Sequence, residues 1–380
     1  MKSPKGPPGN IRSIAVLKFR NIGDVLLATP VFRALRSRYP QAGIAAVVNE
    51  GTEEMLTGNP DIDRVIVYRR PDRTSSGRER ISAEVSLLRE IRSWRPDLTV
   101  SLTEGDRGAF LSLLSGAACR IGVSSFGTGF RWKDRIFTNL HNGKIGFRHE
   151  VLYNLDILSA AGIPPADRAL RFFFSFEDER RARSILQEAG VPEGTPYAVV
   201  HPCSRWVFKC WGDGKMASVM MHLAERGIAP VVTSGPAEAE IERAARVAEA
   251  FGDPRANVGG KLTLKEMGAL LASARMYVGV DTAAMHIAAA VGTPVVALFG
   301  PTSAIRWAPW EGMEWGYSRD RMAGTVSVGR HIVVQKDWEC VPCRRAGCED
   351  SKRSRCLEET GVEEVLDAVD RVLTAHRTGE

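Results

Sequence analysis

An α/β chain with two parallel-sheet halves is what three features of the sequence predict. Short apolar, β-branched runs alternate with amphipathic helical segments, the signature of a parallel sheet covered on both faces. That alternation lapses over roughly residues 170–195 and then restarts. The chain is also 380 residues long, more than the roughly 250–300 residues at which one hydrophobic core stops growing.

In the first half the strand candidates are Ile14–Phe19, Ile44–Val48, Arg64–Tyr68, Leu98–Leu102 and Arg120–Val123. Between them "VFRALRSRY" and "AEVSLLREIRSW" carry apolar residues three and four apart, the period of a half-buried helix. "RFFFSFEDERRARSILQEAGVPEGTP" breaks the rhythm with a helix and a Pro/Gly turn and reads as a linker region. Beyond it "YAVVHP", "APVVTS", "MYVGVD" and "PVVALFG" are strand candidates, with helices starting near Asp213, Ala237, Thr263 and Thr282. "VEEVLDAVDRVLTAH" is an amphipathic closing helix. Domains are expected at 1–175 and 176–380. Two such halves leave a cleft between the carboxyl edges of their sheets, where open α/β sheets bind ligands.

Composition limits the function. With 44% hydrophobic and 25% charged residues, both halves can bury a normal core. No stretch approaches the roughly 18 apolar residues of a membrane span, and "MKSPKGPPGN" has no apolar leader core, so a cytoplasmic protein is expected. The net charge of +6 suits anionic partners without identifying them. Arg69, Arg70, Arg73, Arg78 and Arg80 form one basic stretch; Arg131, Lys133, Arg135, Lys144 and Arg148 form another. They are either solvated loops or a surface for phosphates. Basic repeats interleaved with aromatics are missing, which argues against nucleic acid. Four of the seven cysteines, Cys340, Cys343, Cys348 and Cys356, share one segment. Stable disulfides are not expected in a reducing compartment. Reduced thiols packing a loop and a structural zinc site are the two readings of that spacing.

Two segments have the composition of an anion site. In "VGVDTAAMHIAAAVGTPVVALFGPT" a strand ends at Asp281 and a small-residue helix follows. The amides of Thr282, Ala283 and Ala284 and the helix dipole would then face an anion such as a diphosphate. Asp281 is a helix cap, a ligand-site residue or both. "HPCSRWVFKCW" follows another strand and supplies Ser204, Arg205 and Lys209, the hydroxyl and cations of a phosphate-binding loop.

A third segment, "RNIGDVLLATP", places Asp24 where the first strand ends. The acid can be a helix cap, a ribose ligand or a catalytic base. As a cap alone it is poorly placed, because Pro30 would fall within the helix it starts, and Thr29–Pro30 is itself a good cap and first-turn pair.

In this order and at these intervals, "IGDVLLATPVFRALRSRYP", "HPCSRWVFKCW", "VGVDTAAMHIAAAVGTPVVALFGPT" and "CVPC…C…CLEETGVEEVL" resemble the ADP-heptose:lipopolysaccharide heptosyltransferases, a glycosyltransferase family of the GT-B type. The resemblance implies two Rossmann-like domains facing across a cleft. The N-terminal one would take a lipid-linked saccharide acceptor and the C-terminal one the nucleotide sugar, ADP-heptose. It implies that Asp24 is the catalytic base. Donor contacts would fall on Ser204, Arg205, Lys209, Asp281, Thr282, Ala283, Ala284 and His286, with Leu262 lining the adenine pocket. The ribose would be held by Glu240, with Glu238 as the alternative. Cys203 and Ala283 stand where the family usually has glycine, and their added Cβ atoms reach toward the diphosphate. The expectation is an inverting transfer of heptose to the inner core of lipopolysaccharide at the cytoplasmic face of the inner membrane. No cofactor is required: no Asp-x-Asp pair stands at a strand end, and lysine with backbone dipoles can replace a divalent metal. The same fold acting on another sugar or glycan is the competing reading. A nonenzymatic nucleic-acid-binding protein is the third.

Overall fold

The computed structural model describes residues 7, 9–72, 74–124, 129–143, 148–312 and 324–375. The chain divides into two compact units, Met1–Phe173 and Phe174–Glu380.

The first unit is built on six parallel strands: β1 (Ser13–Lys18), β2 (Gly43–Asn49), β3 (Arg64–Tyr68), β4 (Leu98–Ser101), β5 (Cys119–Val123) and β6 (Asn139–His141). Their order is β3-β2-β1-β4-β5-β6. The chain reverses its direction of winding between β1 and β4, so a crevice opens beyond the carboxyl ends of those two strands. The helices are α1 (Ile22–Leu26), α2 (Thr29–Arg38), α3 (Gly77–Ser93), α4 (Asp106–Leu114) and α5 (Glu150–Ser159). Ala15, Leu17, Ala45, Val47 and Ile66 pack against Leu87 and Ile91 of α3. Truncating Ile91 there costs about 2–5 kcal/mol. α3 starts earlier than its apolar period suggests because Ser76 and Glu79 form a capping box: Ser76 N–H donates to Glu79 Oε2 at 2.6 Å, and Glu79 N–H to Ser76 Oγ at 3.3 Å.

The second unit carries β7 (Tyr197–His201), β8 (Ala229–Val232), β9 (Met276–Val280), β10 (Val295–Phe299), β11 (Thr325–Val328) and β12 (His331–Gln335). The order is β11-β12-β10-β9-β7-β8, and β11 alone runs antiparallel. Here the winding reverses between β7 and β9, so the loops leaving those strands flank the ligand position of this sheet. Helices α6 (Phe176–Glu188), α7 (Asp213–Glu225), α8 (Glu238–Phe251), α9 (Leu264–Ala272), α10 (Ala283–Ala290), α11 (Ala304–Trp307), α12 (Arg355–Glu358) and α13 (Val362–Ala375) complete it. Val365, Ala368, Val369 and Val372 of α13 join the core of Val278, Val296 and Leu298. His376, the expected last residue of that helix, lies outside the described residues. No helix among the described residues is long and apolar enough to cross a membrane.

Candidate active site

Asp24 is the third residue of α1, a single turn placed directly after β1, and its side chain is buried. It caps nothing: the N-cap of α1 is Asn21, and that of α2 is Ala28. The expected Thr29–Pro30 cap is displaced by one residue. Thr29 already lies within α2, where its hydroxyl donates to the Leu26 carbonyl at 2.8 Å and accepts from Arg171 N–H at 3.2 Å. Pro30 therefore falls in the first turn of α2, where a missing N–H costs nothing. Asp24 Oδ2 accepts from Asn21 Nδ2 at 3.3 Å. Burial pushes its carboxyl above the ordinary value of 3.8; Lys18 and Arg20 pull it down and Glu150 pushes it up.

Beneath it Lys18, in the last position of β1, is buried although charged. Its Nζ donates to Glu150 Oε1 at 2.9 Å and to Asn154 Oδ1 at 3.0 Å, both on α5. Asn154 Nδ2 in turn donates to the Leu27 carbonyl at 3.4 Å, just past α1. None of these three polar residues stood among the sequence candidates, although one signal was present: a lysine inside the apolar run "IAVLKF" must be paired if that strand is buried.

In the second unit the two predicted loops meet. Lys209 Nζ lies 2.7 Å from Asp281 Oδ2, and Thr302 Oγ1 donates to the same oxygen at 2.8 Å. Asp281 is therefore held by Lys209 and Thr302 and is not the cap of α10, which is Thr282 without a side-chain cap bond. The first-turn amides of α10 have no intrahelical acceptor, and the small side chains of Ala283 and Ala284 cover little of them. Gln335 Nε2 donates to the carbonyls of Gly300 and Thr302, each at 2.8 Å, holding the loop after β10 in place. At Gly279 a Cβ would stand 2.7 Å from the His201 carbonyl and 2.5 Å from the Tyr277 hydroxyl, so the space beside these groups admits no side chain at this position. His201 is buried against Thr233, Nδ1 to Oγ1 2.9 Å, and burial pushes its pKa down to about 4. It is a neutral imidazole at physiological pH.

The remaining candidates are placed as follows. Ser204 is buried beyond β7 and accepts from Trp206 N–H at 3.2 Å, whereas Arg205 lies over the Trp206 ring, 5.0 Å from its centroid. Glu240 sits in the first turn of α8, half-buried, with Oε2 accepting from Gly235 N–H at 3.1 Å; Glu238 is exposed. Leu262 is half-buried beside the N-cap of α9, and His286 is buried on α10. Cys203 is fully buried in the core, its thiol directed to the Glu240 carbonyl at 3.1 Å, so its side chain is absorbed by packing. Ala283 remains half-exposed at the start of α10.

Of the cysteines read as packing a loop or holding zinc, Cys340 is exposed and Cys356 is buried on α12; all seven are free, and no group of three or more His, Cys, Asp or Glu among the described residues is placed to hold a metal ion. Their segment braces the loops after β7 and β10. Ser354 Oγ donates to the Phe208 carbonyl at 2.6 Å, Arg344 N–H to the Pro301 carbonyl at 2.8 Å, and Trp211 Nε1 to the Thr360 carbonyl at 3.2 Å. The tight turn that permits this needs glycine at 347, with φ +94° and the Arg353 backbone 2.6 Å from any added Cβ. In the second basic stretch two cations are paired within the protein, whereas Arg135 is exposed. Lys133 turns inward to the Glu104 carbonyl at 2.8 Å and Asp106 Oδ1 at 3.0 Å, and Arg148 is bidentate to Asp156. Arg73 and Lys144 lie outside the described residues, and so does the Arg131 side chain. Arg69, Arg70, Arg78 and Arg80 are exposed.

Two Rossmann-like units, one with a buried acid at its switch point, have the architecture of the GT-B class. Residues 85–324 match the model of "Glycosyltransferase family 9 (heptosyltransferase)". The lipopolysaccharide heptosyltransferase 3 of Escherichia coli is 33% identical over 289 residues, 76% of this chain and 83% of its own. Among solved structures, the family 9 glycosyl transferase of Veillonella parvula superposes with a TM-score of 0.78 at 21% identity, covering 96% of this chain and 97% of its own. Escherichia coli heptosyltransferase WaaC with ADP-2-deoxy-2-fluoro heptose gives 0.65 at 19% identity, covering 96% and 99%. The chain belongs to glycosyltransferase family 9, the heptosyltransferases.

Proposed function

We propose that the protein transfers heptose from ADP-heptose to the inner core of lipopolysaccharide, with inversion at the anomeric carbon. The observation that carries the reading is the 33% identity to a lipopolysaccharide heptosyltransferase across three quarters of the chain. The site geometry supports its chemistry. Asp24 takes the proton of the acceptor hydroxyl as that oxygen bonds to the anomeric carbon, while the bond from that carbon to the diphosphate oxygen breaks and ADP departs. A positioned carboxylate contributes about 10²- to 10⁴-fold to such a step, and its raised pKa makes it a stronger base than an exposed aspartate. Lys209 and the first amides of α10 meet the negative charge that grows on the diphosphate. In this scheme Asp281 and Thr302 hold Lys209 and the loop after β10 in register. Glu240 accepts from the ribose hydroxyls, Ser204 and Arg205 line the phosphate path, and Leu262 and His286 bound the donor pocket. The N-terminal unit, to about residue 175, takes the acceptor, and the remainder takes the donor.

A lipid-linked acceptor places the enzyme at an anionic surface, the cytoplasmic face of the inner membrane. Exposed Arg69, Arg70, Arg78 and Arg80 support this reading, each worth about 1 kcal/mol near such a surface. Exposed Phe130 and Trp132, with ring centroids 6.0 Å apart, add amphipathic contact. Transfer from ADP-heptose to a panel of core-truncated lipopolysaccharides tests the function. Product on one truncation only would fix the acceptor, and turnover with a different nucleotide sugar but not ADP-heptose would replace the reading.

A further inference from the structure

Asp24 does not stand alone at the end of β1. Directly beneath it lies an ion pair that is about as buried as any among the described residues, with Lys18 1% and Glu150 3% exposed. A buried pair of this kind is not retained for stability, since well-packed apolar residues of similar volume usually do as well or better. Its position suggests another use. Lys18 ends the strand that leads into α1, Glu150 and Asn154 lie on one face of α5, and Asn154 also grips the Leu27 carbonyl at the other end of α1. Thus both ends of the turn that carries Asp24 are fixed to α5 through one network.

We propose that Lys18, Glu150 and Asn154 form a positioning unit for Asp24, in which Glu150 neutralises the Lys18 ammonium so that it anchors the turn without capturing the Asp24 carboxylate. The inference rests on Asp24 being the base. The charges acting on Asp24 are Lys18, Glu150 and Arg20, and Arg20 faces Glu104 at 3.6 Å. Glu53 and Glu54 lie on the turn packed against α1. Removing Glu150 takes away a negative charge that acts on Asp24 and leaves the Lys18 ammonium without its partner, which makes Asp24 a weaker base. Removing Lys18 leaves two carboxylates together, which makes Asp24 harder to ionise.

The pH dependence of kcat/KM for transfer from ADP-heptose to a core-truncated lipopolysaccharide separates the possibilities. The acid limb is expected to move to lower pH in Glu150→Gln and to higher pH in Lys18→Gln, each by up to about one pH unit, and to return in the double variant. Asn154→Ala, which keeps both charges, is expected to lower kcat roughly tenfold or more through misplacement of the base, with the donor KM unchanged. It carries the test if a single charge variant does not fold. Acid limbs that stay in place, together with an Asn154→Ala that loses only thermal stability, would make the pair a structural strut and overturn the inference. Near-normal turnover in Asp24→Asn would instead remove the base itself, and this inference with it.

Discussion

Asp24 and Asp281 stand on opposite sides of the switch points of two similar sheets, Asp24 after the first strand of its unit and Asp281 after the strand across the switch point. Each follows a parallel strand at a switch point, each is buried, and each has a lysine nearby. They differ in what the lysine does. Lys209 contacts Asp281 directly at 2.7 Å, whereas Lys18 is taken by Glu150 at 2.9 Å, and Asp24 has only the Asn21 amide at 3.3 Å. Topology therefore puts a carboxylate at each rim, and the second partner decides its chemistry. An acid with its own cation is a structural ligand; one whose cation is already engaged keeps its basicity.

The largest effect that would break this comparison is on turnover. Asp24→Asn keeps size and hydrogen-bonding capacity but cannot accept the proton, so kcat should fall about 10²- to 10⁴-fold. The same substitution should raise the melting temperature. The folded pKa of Asp24 lies above its unfolded value, so its stabilising contribution is greatest at low pH and is lost as pH rises through the folded value. At neutral pH the ionised form in a desolvated site is a cost that asparagine avoids. A thermal melt showing Asp24→Asn less stable than the unaltered protein would contradict the electrostatic account.

Lys209→Ala should act on binding as well as on turnover. The lysine meets the diphosphate both bound and departing, and losing a charge-assisted contact worth about 1.5–3 kcal/mol raises the donor KM and lowers kcat/KM by roughly 10- to 100-fold. Thr302→Val removes one donor from Asp281 and nothing else charged. Steady-state kinetics should show a few-fold change, in line with about 1 kcal/mol, and an effect as large as that of Lys209→Ala would mean that Thr302 contacts the donor itself. The smallest change expected is in Ser354→Ala, which cuts the 2.6 Å brace to the Phe208 carbonyl. About 1 kcal/mol corresponds to a shift of roughly 2–4 °C in a unit of this size, with activity per folded molecule little altered.

Much of the fold was legible because, apart from β11, both sheets are parallel, and their central strands are buried on both faces and read as continuous apolar runs ended by Gly, Pro or acid. Asn139–His141 escaped because three residues, only partly apolar, carry no period, and Thr325–Val328 with His331–Gln335 escaped as an edge hairpin outside the βα rhythm. At the candidate site, the positions of Asp24, Lys209 and Asp281 at or beyond strand ends were readable from local order, whereas the roles expected of them came from the family resemblance. Partners that meet only in space were not readable. Lys18 and Glu150 are 132 positions apart, and nothing in either segment names the other. The cysteine spacing left two readings open, and the bracing of two loops by the backbone of that segment and by Ser354 could not be read from it, because the partners meet only in space.

The most direct test of the two-acid account is calorimetry of ADP binding to Asp24→Asn and Lys209→Ala side by side with the unaltered protein. The account predicts unchanged affinity in Asp24→Asn and a loss of roughly tenfold or more in Lys209→Ala. Lost ADP binding in Asp24→Asn, with normal binding in Lys209→Ala, would contradict it.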